Sequence, residues 1–272
     1  MAVDLHSHTV VSDGALTPRE LVELAAERGL TALAVTDHDA IDGVAPARAA
    51  APPGLEVIVG VELSCRIDER EAHILAYGVD PEDAALRAAL ATFAAQREAR
   101  AREMVERLRG LGIEIEFEDV QRASGAGTIA RPHVAQALVG RRVVETVDQA
   151  FRRFLGRHAP AYVEKPRLDP REACELVVAA DGVPGLAHPG TFRRDDLIPA
   201  LVEAGLEALE VRHTEHSQAA TRHYEAMARR LDLLPTGGSD FHGTPGHRSR
   251  LGTPEVPDAW AAALVARSRA RG

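Results

Sequence analysis

Short apolar runs of strand length alternate with amphipathic helical stretches along most of the chain. Val3 and Leu5 alternate with polar neighbours, as in a strand with one buried face, and Thr17, Pro18 and Glu20 then match a helix start with a capping box. This alternation returns in the last third of the sequence and predicts an α/β fold. The predicted strands are 3–5, 32–35, 55–64, 71–77, 183–187, 208–211 and 233–236, and the predicted helices are 18–28, 44–50, 82–109, 118–123, 132–138, 146–154, 170–180, 195–204, 217–231 and one that begins at 257.

Residues 81–156 interrupt this alternation. They contain a long helix rich in Ala, Arg and Glu and several shorter helical patterns, but no alternating βα unit. We therefore predict a barrel-like α/β domain formed by 1–80 and 157–272, with an inserted helical subdomain at 81–156. An insertion of this kind is expected to lie over the functional site and to shape it.

The composition sets limits on the core and on the partners. Of the 272 residues, 45% are hydrophobic but only 4% are aromatic, so the core is expected to consist mainly of Ala, Leu and Val. The net charge of −9 argues against a protein that holds long DNA through its overall field, because such binding needs clustered Lys and Arg. Cys65 and Cys174 belong to no ligand-spaced motif and are expected to be buried thiols.

The sequence contains no recognisable targeting or membrane segment. No stretch approaches the roughly 20 apolar residues of a membrane-spanning helix, and the first residues, MAVDLHSH, do not resemble an export signal. We therefore expect no membrane association and a cytoplasmic location. Nothing in the sequence indicates the oligomeric state.

Histidine and carboxylate side chains gather at the predicted strand ends. His6 and His8 leave the first strand on one face, Glu62 interrupts an apolar strand, and the strand 71–77 would bring His73 back beside Glu62. Imidazole and carboxylate without thiolate form a ligand set suited to Mn, Fe or Zn. Because these groups exceed the needs of one ion, two or three divalent ions about 3.5–4 Å apart are expected, with Glu62 as a bridge. The candidate metal ligands are His6, His8, Asp13, His38, Glu62, His73, His188, Asp240 and His242.

Other polar residues close to these strand ends are candidates for catalysis. Asp37 and Asp39 flank His38, so either is a further ligand candidate, and Asp37 is also a candidate catalytic carboxylate. His213 follows the strand 208–211 and is a candidate proton donor to the leaving oxygen.

The insertion contributes candidates for substrate binding. Arg131 precedes a helix that starts on Pro132, and an arginine at a helix N-terminus suits a phosphate group. Arg248, beyond the last strand, would supply a second guanidinium that can donate two hydrogen bonds to phosphate oxygens. The predicted substrate-binding residues are Arg131, His133, His213, His216 and Arg248.

Five short motifs contain most of these candidate ligands. They are His6-Ser7-His8 with Asp13-Gly14, Thr36-Asp37-His38, Gly60-Val61-Glu62, His188-Pro189-Gly190 and Gly238-Ser239-Asp240-Phe241-His242. On these motifs, the chain resembles the polymerase and histidinol phosphatase (PHP) superfamily. The resemblance implies a distorted (β/α)7 barrel similar to a TIM barrel, phosphoesterase activity, and a trinuclear site that binds Mn, Fe or Zn, with Mn preferred. It also implies three ligand sets: a first set (His6, His8, Glu62, Asp240), a second set (Glu62, His73, His188) and a third set (Asp13, His38, His242).

Three further segments resemble one branch of that superfamily, whose members remove the 5′-phosphate from nucleoside 3′,5′-bisphosphates. Some members of this branch also trim short RNA from its 5′ end. The resemblance therefore implies a small phosphorylated substrate, a nucleotide or a short RNA, attacked by a hydroxide that bridges the ions. The segments are Arg131-Pro132-His133, Glu210-Val211 with His213 and His216, and 73–78.

Two other functions are compatible with the sequence, and the sequence argues against a third. A phosphatase of histidinol phosphate or of another small monoester would use the same ligands, and a substrate panel separates it from a bisphosphate phosphatase. A non-catalytic metal-binding module would hold the ions without turnover. A metal-dependent amide hydrolase would need a lysine after a central strand, whereas Lys165, the only lysine in the chain, follows the insertion.

Overall fold

One mixed sheet of eight strands runs through the residues that the computed structural model describes, which are 2–67, 70–125, 127–164, 168–243 and 249–271. Its strands are β1 (Ala2–Asp4), β2 (Leu30–Val35), β3 (Glu56–Ile67), β4 (Arg70–Tyr77), β5 (Val183–Leu186), β6 (Ala208–His213), β7 (Leu234–Gly238) and β8 (Val256–Pro257). Their order in the sheet is β7-β6-β5-β4-β3-β2-β1-β8. The sequence predicts the first seven strands, whereas the two-residue β8 is too short to leave an apolar pattern.

The sheet curls into a nearly closed barrel because β1 and β7 meet. Beyond the end of β1, the Leu5 N–H donates to the Gly237 carbonyl at 3.1 Å, and the His8 N–H donates to the Phe241 carbonyl at 2.9 Å. On the side away from β2, β1 also pairs with the short antiparallel β8. This closure confirms the predicted distorted barrel.

Strand β4 runs opposite to both of its neighbours. It forms the predicted hairpin with β3, in which Ser64 faces His73, and it also pairs antiparallel with β5. Because a reversed strand begins where its neighbours end, the first residues of β4 lie at the mouth formed by the carboxyl ends of the parallel strands. β3 continues through Ile67, beyond the predicted end at Ser64, and the centre of the predicted turn, 68–69, lies outside the described residues.

Helices cover the barrel and form the insertion. The first begins as predicted: the Thr17 hydroxyl accepts from the Glu20 N–H at 3.2 Å, and the Glu20 carboxylate accepts from the Thr17 N–H at 2.8 Å. A π-helical turn, Phe151–Leu155, and a 3₁₀ turn, Asp195–Leu197, replace parts of two predicted helices. The helices are α1 (Pro18–Glu27), α2 (Val44–Ala50), α3 (Ala84–Gly110), α4 (Phe117–Ser124), α5 (Arg131–Gly140), α6 (Val147–Ala150), α7 (Pro170–Ala179), α8 (Pro189–Phe192), α9 (Ile198–Glu203), α10 (Gln218–Arg230) and α11 (Asp258–Arg269).

Two hydrophobic cores share the long helix α3. Leu86 and Leu90, near its start, pack in the main core between the sheet and its covering helices. Met104 and Leu108, near its end, belong to a separate core of the insertion, which extends to Val163. The insertion therefore has its own apolar interior, and the boundaries predicted at 81 and 156 stay a prediction.

The two cysteines are buried in the main core, as predicted. Burial raises the pKa of the Cys174 thiol to about 12, so this thiol is unreactive at neutral pH. In the described ranges, the structure has no helix that is both long and apolar enough to cross a membrane.

Candidate metal centre

Glu62 lies at the centre of the predicted cluster and is almost completely buried. Its Oε2 atom lies 3.3 Å from Nε2 of His6 and 3.3 Å from Nε2 of His8. The same oxygen lies 3.0 Å from Nδ1 of His38. A buried carboxylate is costly without compensating partners, and these imidazoles account for its position within the apolar strand β3.

The other oxygen of Glu62 faces the second ligand set. Oε1 lies 2.8 Å from Nδ1 of His73 and 3.2 Å from Nε2 of His188. The two ring nitrogens are themselves 3.2 Å apart. The hairpin therefore places His73 beside Glu62, as the sequence predicts.

Asp240 completes the first ligand set. Its Oδ1 atom lies 3.4 Å from Nε2 of His6 and 3.1 Å from Nε2 of His8. The ligand atoms of His6, His8, Glu62 and Asp240 all lie within 4.8 Å of one another. Gly238 allows the segment that leads to Asp240 to lie close to His6, because a Cβ added at this glycine would stand 2.4 Å from Cβ of His6. Asp240 itself has a φ of 53°, in the left-handed region that non-glycine residues rarely adopt.

The third ligand set lies beside the first. Nε2 of His242 is 3.2 Å from Oδ1 of Asp13. The ligand atoms of Asp13, His38 and His242, together with one from His8, lie within 4.8 Å of one another. The rings of His8 and His242 stack with centroids 4.1 Å apart. All nine predicted ligands thus meet at one mouth of the barrel.

The hydrogen bonding of this cluster fits a cation site. Buried polar atoms normally have a hydrogen-bond partner, yet several ring nitrogens and carboxylate oxygens here have none among the described residues. They point at one another across the cluster, where divalent cations would satisfy them together. These atoms are His6 Nε2, His8 Nε2, Asp13 Oδ1, His38 Nδ1 and Glu62 Oε2.

The electrostatics of the cluster also favour a cation. Burial alone would raise the pKa of Glu62, but the neighbouring His73, His38 and His6 hold it well below its usual range, so the carboxylate is ionised. Burial opposes protonation of His8, yet the adjacent carboxylates of Asp240 and Glu62 raise its pKa to about 10. A negative potential strong enough to bind that proton also attracts metal ions.

Asp37, a predicted catalytic carboxylate, accepts hydrogen bonds from the loop that follows β1. Its Oδ1 atom accepts from the Thr9 N–H at 2.7 Å and from the Ser12 hydroxyl at 2.6 Å, while Oδ2 accepts from the Thr9 hydroxyl at 2.7 Å. Because both oxygens are occupied, Asp37 does not face the cluster. It holds the loop that leads from β1 to Asp13.

Asp39 pairs with an arginine of the insertion instead of serving as a ligand. Nε of Arg97, on α3, donates to Oδ2 of Asp39 at 2.7 Å, and Nη2 of Arg97 donates to the Ser64 hydroxyl at 2.8 Å. Oδ1 of Asp39 accepts from the Ser64 N–H at 2.7 Å. This pair connects the insertion to the ends of β2 and β3, and the sequence contains no signal for it.

His216 and His133 hold backbone groups, and their predicted roles in substrate binding stay predictions. Nε2 of His216 accepts from the Gly190 N–H at 3.1 Å, and Nδ1 lies 3.0 Å from the Val211 carbonyl, so both ring nitrogens are used. Nδ1 of His133 accepts from the Ala130 N–H at 3.0 Å and thereby caps α5. His133 is absent from the described residues that line the cavity.

A cavity of about 620 Å³ opens beside the second ligand set. Arg131 and His213 line it, as predicted. The guanidinium of Arg131 lies over the rings of Phe151 and Tyr162, with its central carbon 5.2 and 5.8 Å from their centroids. Arg248, like Lys165, falls outside the described residues. Three further arginines, which the sequence analysis did not single out, line the same cavity: Arg66, Arg70 and Arg157.

Comparison with known proteins places this site in a family. A family model described as a PHP domain matches residues 4–107. The chain is 36% identical to the 3′,5′-nucleoside bisphosphate phosphatase of Chromobacterium violaceum, over 91% of this chain and 89% of the relative. It is 34% identical to the phosphoribosyl 1,2-cyclic phosphate 1,2-diphosphodiesterase of Eggerthella lenta, over 93% of this chain and 98% of the relative.

A solved structure agrees with these sequence relatives. It is that of a protein from Bifidobacterium adolescentis, provisionally assigned as a metal-dependent phosphoesterase, and it matches with a TM-score of 0.89 and 35% identity. The match covers 97% of this chain and 96% of that chain. Because the similarity extends over nearly the whole chain and includes the barrel that carries the His and carboxylate cluster, the chain belongs to the PHP family and is a phosphoesterase of that family.

Proposed function

We propose that this phosphoesterase hydrolyses the 5′-phosphate of nucleoside 3′,5′-bisphosphates and also accepts short 5′-phosphorylated RNA. The observation that carries the proposal is the cavity itself. It has His73, His188 and Asp240 at one end, while Arg66, Arg70, Arg131 and Arg157 line its walls. A substrate with one phosphate at the ligand cluster and a second anionic group among the arginines would match both parts. The relative from Chromobacterium violaceum carries the name of this activity, which supports the proposal.

We assign one divalent cation to each of the three ligand sets. Glu62 would be shared by the first and second sets, because its two oxygens face different histidines. Mn is the preferred ion, with Fe or Zn as alternatives, since imidazole and carboxylate ligands suit all three. When bound, such cations lower the pKa of a water molecule and neutralise charge on the scissile phosphate.

Arg131 is assigned to the second phosphate of the substrate. Aromatic rings hold its guanidinium in place, so little conformational entropy is lost when it binds an anion. Arg100 lies beside it and donates through Nε to the Val163 carbonyl at 2.9 Å, while its buried Nη2 has no partner among the described residues. Burial, and then the charge of Arg131, lower the pKa of Arg100 to about 10. An anion bound next to these two cations would relieve their repulsion.

His213 is assigned to the proton transfer. Its Nδ1 accepts from the Glu215 N–H at 3.2 Å, so the neutral ring carries its proton on Nε2. That nitrogen is buried, lies 3.5 Å from Oδ2 of Asp240, and belongs to a residue that lines the cavity. It can therefore donate the proton to the 5′ oxygen when the P–O bond breaks.

A substrate panel with the variant Arg131→Ala tests this assignment. The manganese-loaded enzyme should turn over an adenosine 3′,5′-bisphosphate with a higher kcat/KM than adenosine 5′-monophosphate, histidinol phosphate or a ribose 1,2-cyclic phosphate. Arg131→Ala should lower kcat/KM for the bisphosphate about 10- to 100-fold, because a hydrogen-bonded ion pair contributes about 1.5–3 kcal/mol, and should leave the monophosphate nearly unchanged.

The matched control is Arg152→Ala, which removes the same charge from an exposed position of the insertion. It should keep the preference of the parent enzyme. If Arg131→Ala lowers activity toward both nucleotides equally, Arg131 does not bind the second phosphate. If the parent enzyme prefers the histidinol ester or the cyclic phosphate, the proposed substrate is wrong.

A further inference from the structure

Glu210 is a fully buried carboxylate to which the sequence analysis assigned no function. It lies on β6, between β5 and β7. Its Oε1 atom is 3.1 Å from Nδ1 of His6, and its Oε2 atom accepts from the backbone N–H of His188 at 2.6 Å. One side chain therefore contacts a member of the first ligand set and a member of the second.

The contact with His6 determines which ring nitrogen is available to a cation. Nε2 of His6 points toward Glu62 and Asp240, at 3.3 and 3.4 Å. An ionised carboxylate only accepts hydrogen bonds, so Glu210 requires the proton of His6 on Nδ1. The lone pair of Nε2 is then directed into the cluster. Carboxylates that orient metal-binding histidines in this way raise metal affinity.

The hydrogen bond from the His188 N–H to Glu210 stabilises an unusual backbone conformation at His188. His188 has φ 27° and ψ 59°, a conformation that non-glycine residues adopt at a cost. This conformation directs Nε2 of His188 to within 3.2 Å of Glu62. The short hydrogen bond from the His188 N–H to Glu210 holds the turn and so helps to aim the imidazole.

We propose that Glu210 is a positioning residue that presents His6 and His188 to two cation sites at once. The inference rests on the cation sites assigned under the proposed function, but not on the identity of the substrate. The alternative is that Glu210 is itself a ligand, since ligand atoms of His6, Glu210 and His213 lie within 4.8 Å of one another and the His6 atom that faces Glu210 is Nδ1. That arrangement would need both nitrogens of His6 to bind metal, because Nε2 already faces the first ligand set.

The variant Glu210→Gln tests the proposal on metal binding. A glutamine has one acceptor oxygen, so either the His6 ring or the His188 N–H loses its acceptor. The Mn²⁺ affinity of the metal-free protein, measured by chelator competition, should fall about 10- to 100-fold, while the number of ions bound at saturation stays the same. In ¹⁵N spectra of the metal-free protein, the His6 signals should move toward the Nε2-protonated tautomer.

Two further variants complete this experiment. Glu215→Gln removes the same charge from an exposed position on the cavity wall and should change Mn²⁺ affinity less than roughly twofold. If Glu210→Gln does not fold, Glu210→Asp is measured in its place. This variant keeps the charge but is too short to reach both partners, so its Mn²⁺ affinity should also fall.

An unchanged Mn²⁺ affinity and an unchanged His6 tautomer would overturn the proposal, and the loss of one bound ion would identify Glu210 as a ligand. A failure to hydrolyse bisphosphates would overturn the proposed substrate but leave these outcomes intact.

Discussion

Replacement of Glu62 by Gln is expected to lower kcat/KM at least roughly 1,000-fold, because residues that hold catalytic ions contribute most of the rate enhancement. Both oxygens of Glu62 face histidines, Oε2 toward His6, His8 and His38 and Oε1 toward His73. An amide offers one weaker acceptor oxygen and no negative charge, so the affinity for a cation should fall at both the first and the second ligand set. Elemental analysis after equilibrium dialysis against Mn²⁺ should show fewer bound ions than in the parent enzyme.

The control for this variant is Glu56→Gln, on the same strand but at its opposite, exposed end. It should keep parental activity and metal content. Treatment of the parent enzyme with a chelator should abolish activity, and added Mn²⁺ should restore it. If Glu62→Gln keeps more than about a tenth of the activity together with a full complement of ions, the shared position assigned to Glu62 is wrong.

Arg97→Ala is expected to lower the free energy of unfolding by about 3–5 kcal/mol, the usual cost of leaving one partner of a buried ion pair behind. The side chains of Asp39 and Arg97 are only 4% and 10% exposed, so the carboxylate would stay buried without its cation. The Ser64 hydroxyl would lose its donor as well. Urea denaturation of the metal-free protein measures the change. Because Arg97 links the insertion to the barrel, limited proteolysis within the insertion should also become faster.

Arg102→Ala is the matched control on the same helix. Its partner Glu98 lies 2.6 Å away, but the two side chains are 53% and 46% exposed. The guanidinium carbon also lies 3.7 Å from the centroid of the Phe117 ring, so the combined loss should stay below about 2 kcal/mol. The double variant Asp39→Asn with Arg97→Ala should be more stable than Arg97→Ala alone, since no charge then remains buried. Equal losses for Arg97→Ala and Arg102→Ala would show that burial does not strengthen the contact between Asp39 and Arg97.

The barrel and its cluster could be predicted because their signals are local. Each of the first seven strands is a short apolar run, and each candidate ligand lies in the segment that follows such a run or, like Glu62 and His73, inside one. Parallel strands end at the same mouth of a barrel, so residues far apart in sequence are brought together without knowledge of any pairwise contact. The hairpin of β3 and β4 added His73 by the same reasoning.

The roles of single side chains around the cluster could not be predicted, because they depend on hydrogen-bond partners that only the folded chain supplies. His216, a predicted substrate-binding residue, accepts a hydrogen bond from the Gly190 N–H, which belongs to a different βα unit. Arg97 lies in a helix crowded with charges, and nothing in the sequence distinguishes its buried pair from the exposed ones. The positive φ of His188 and Asp240 is likewise invisible to residue patterns.

The meeting of β1 with β7 has a consequence for the synthesis of the enzyme. His6 and His8 leave the ribosome before Asp240 and His242, and the first and third ligand sets need residues from both groups. A nascent chain therefore cannot assemble these two sets until β7 and the residues after it have left the exit tunnel, and a chain that stops before β7 lacks both sets.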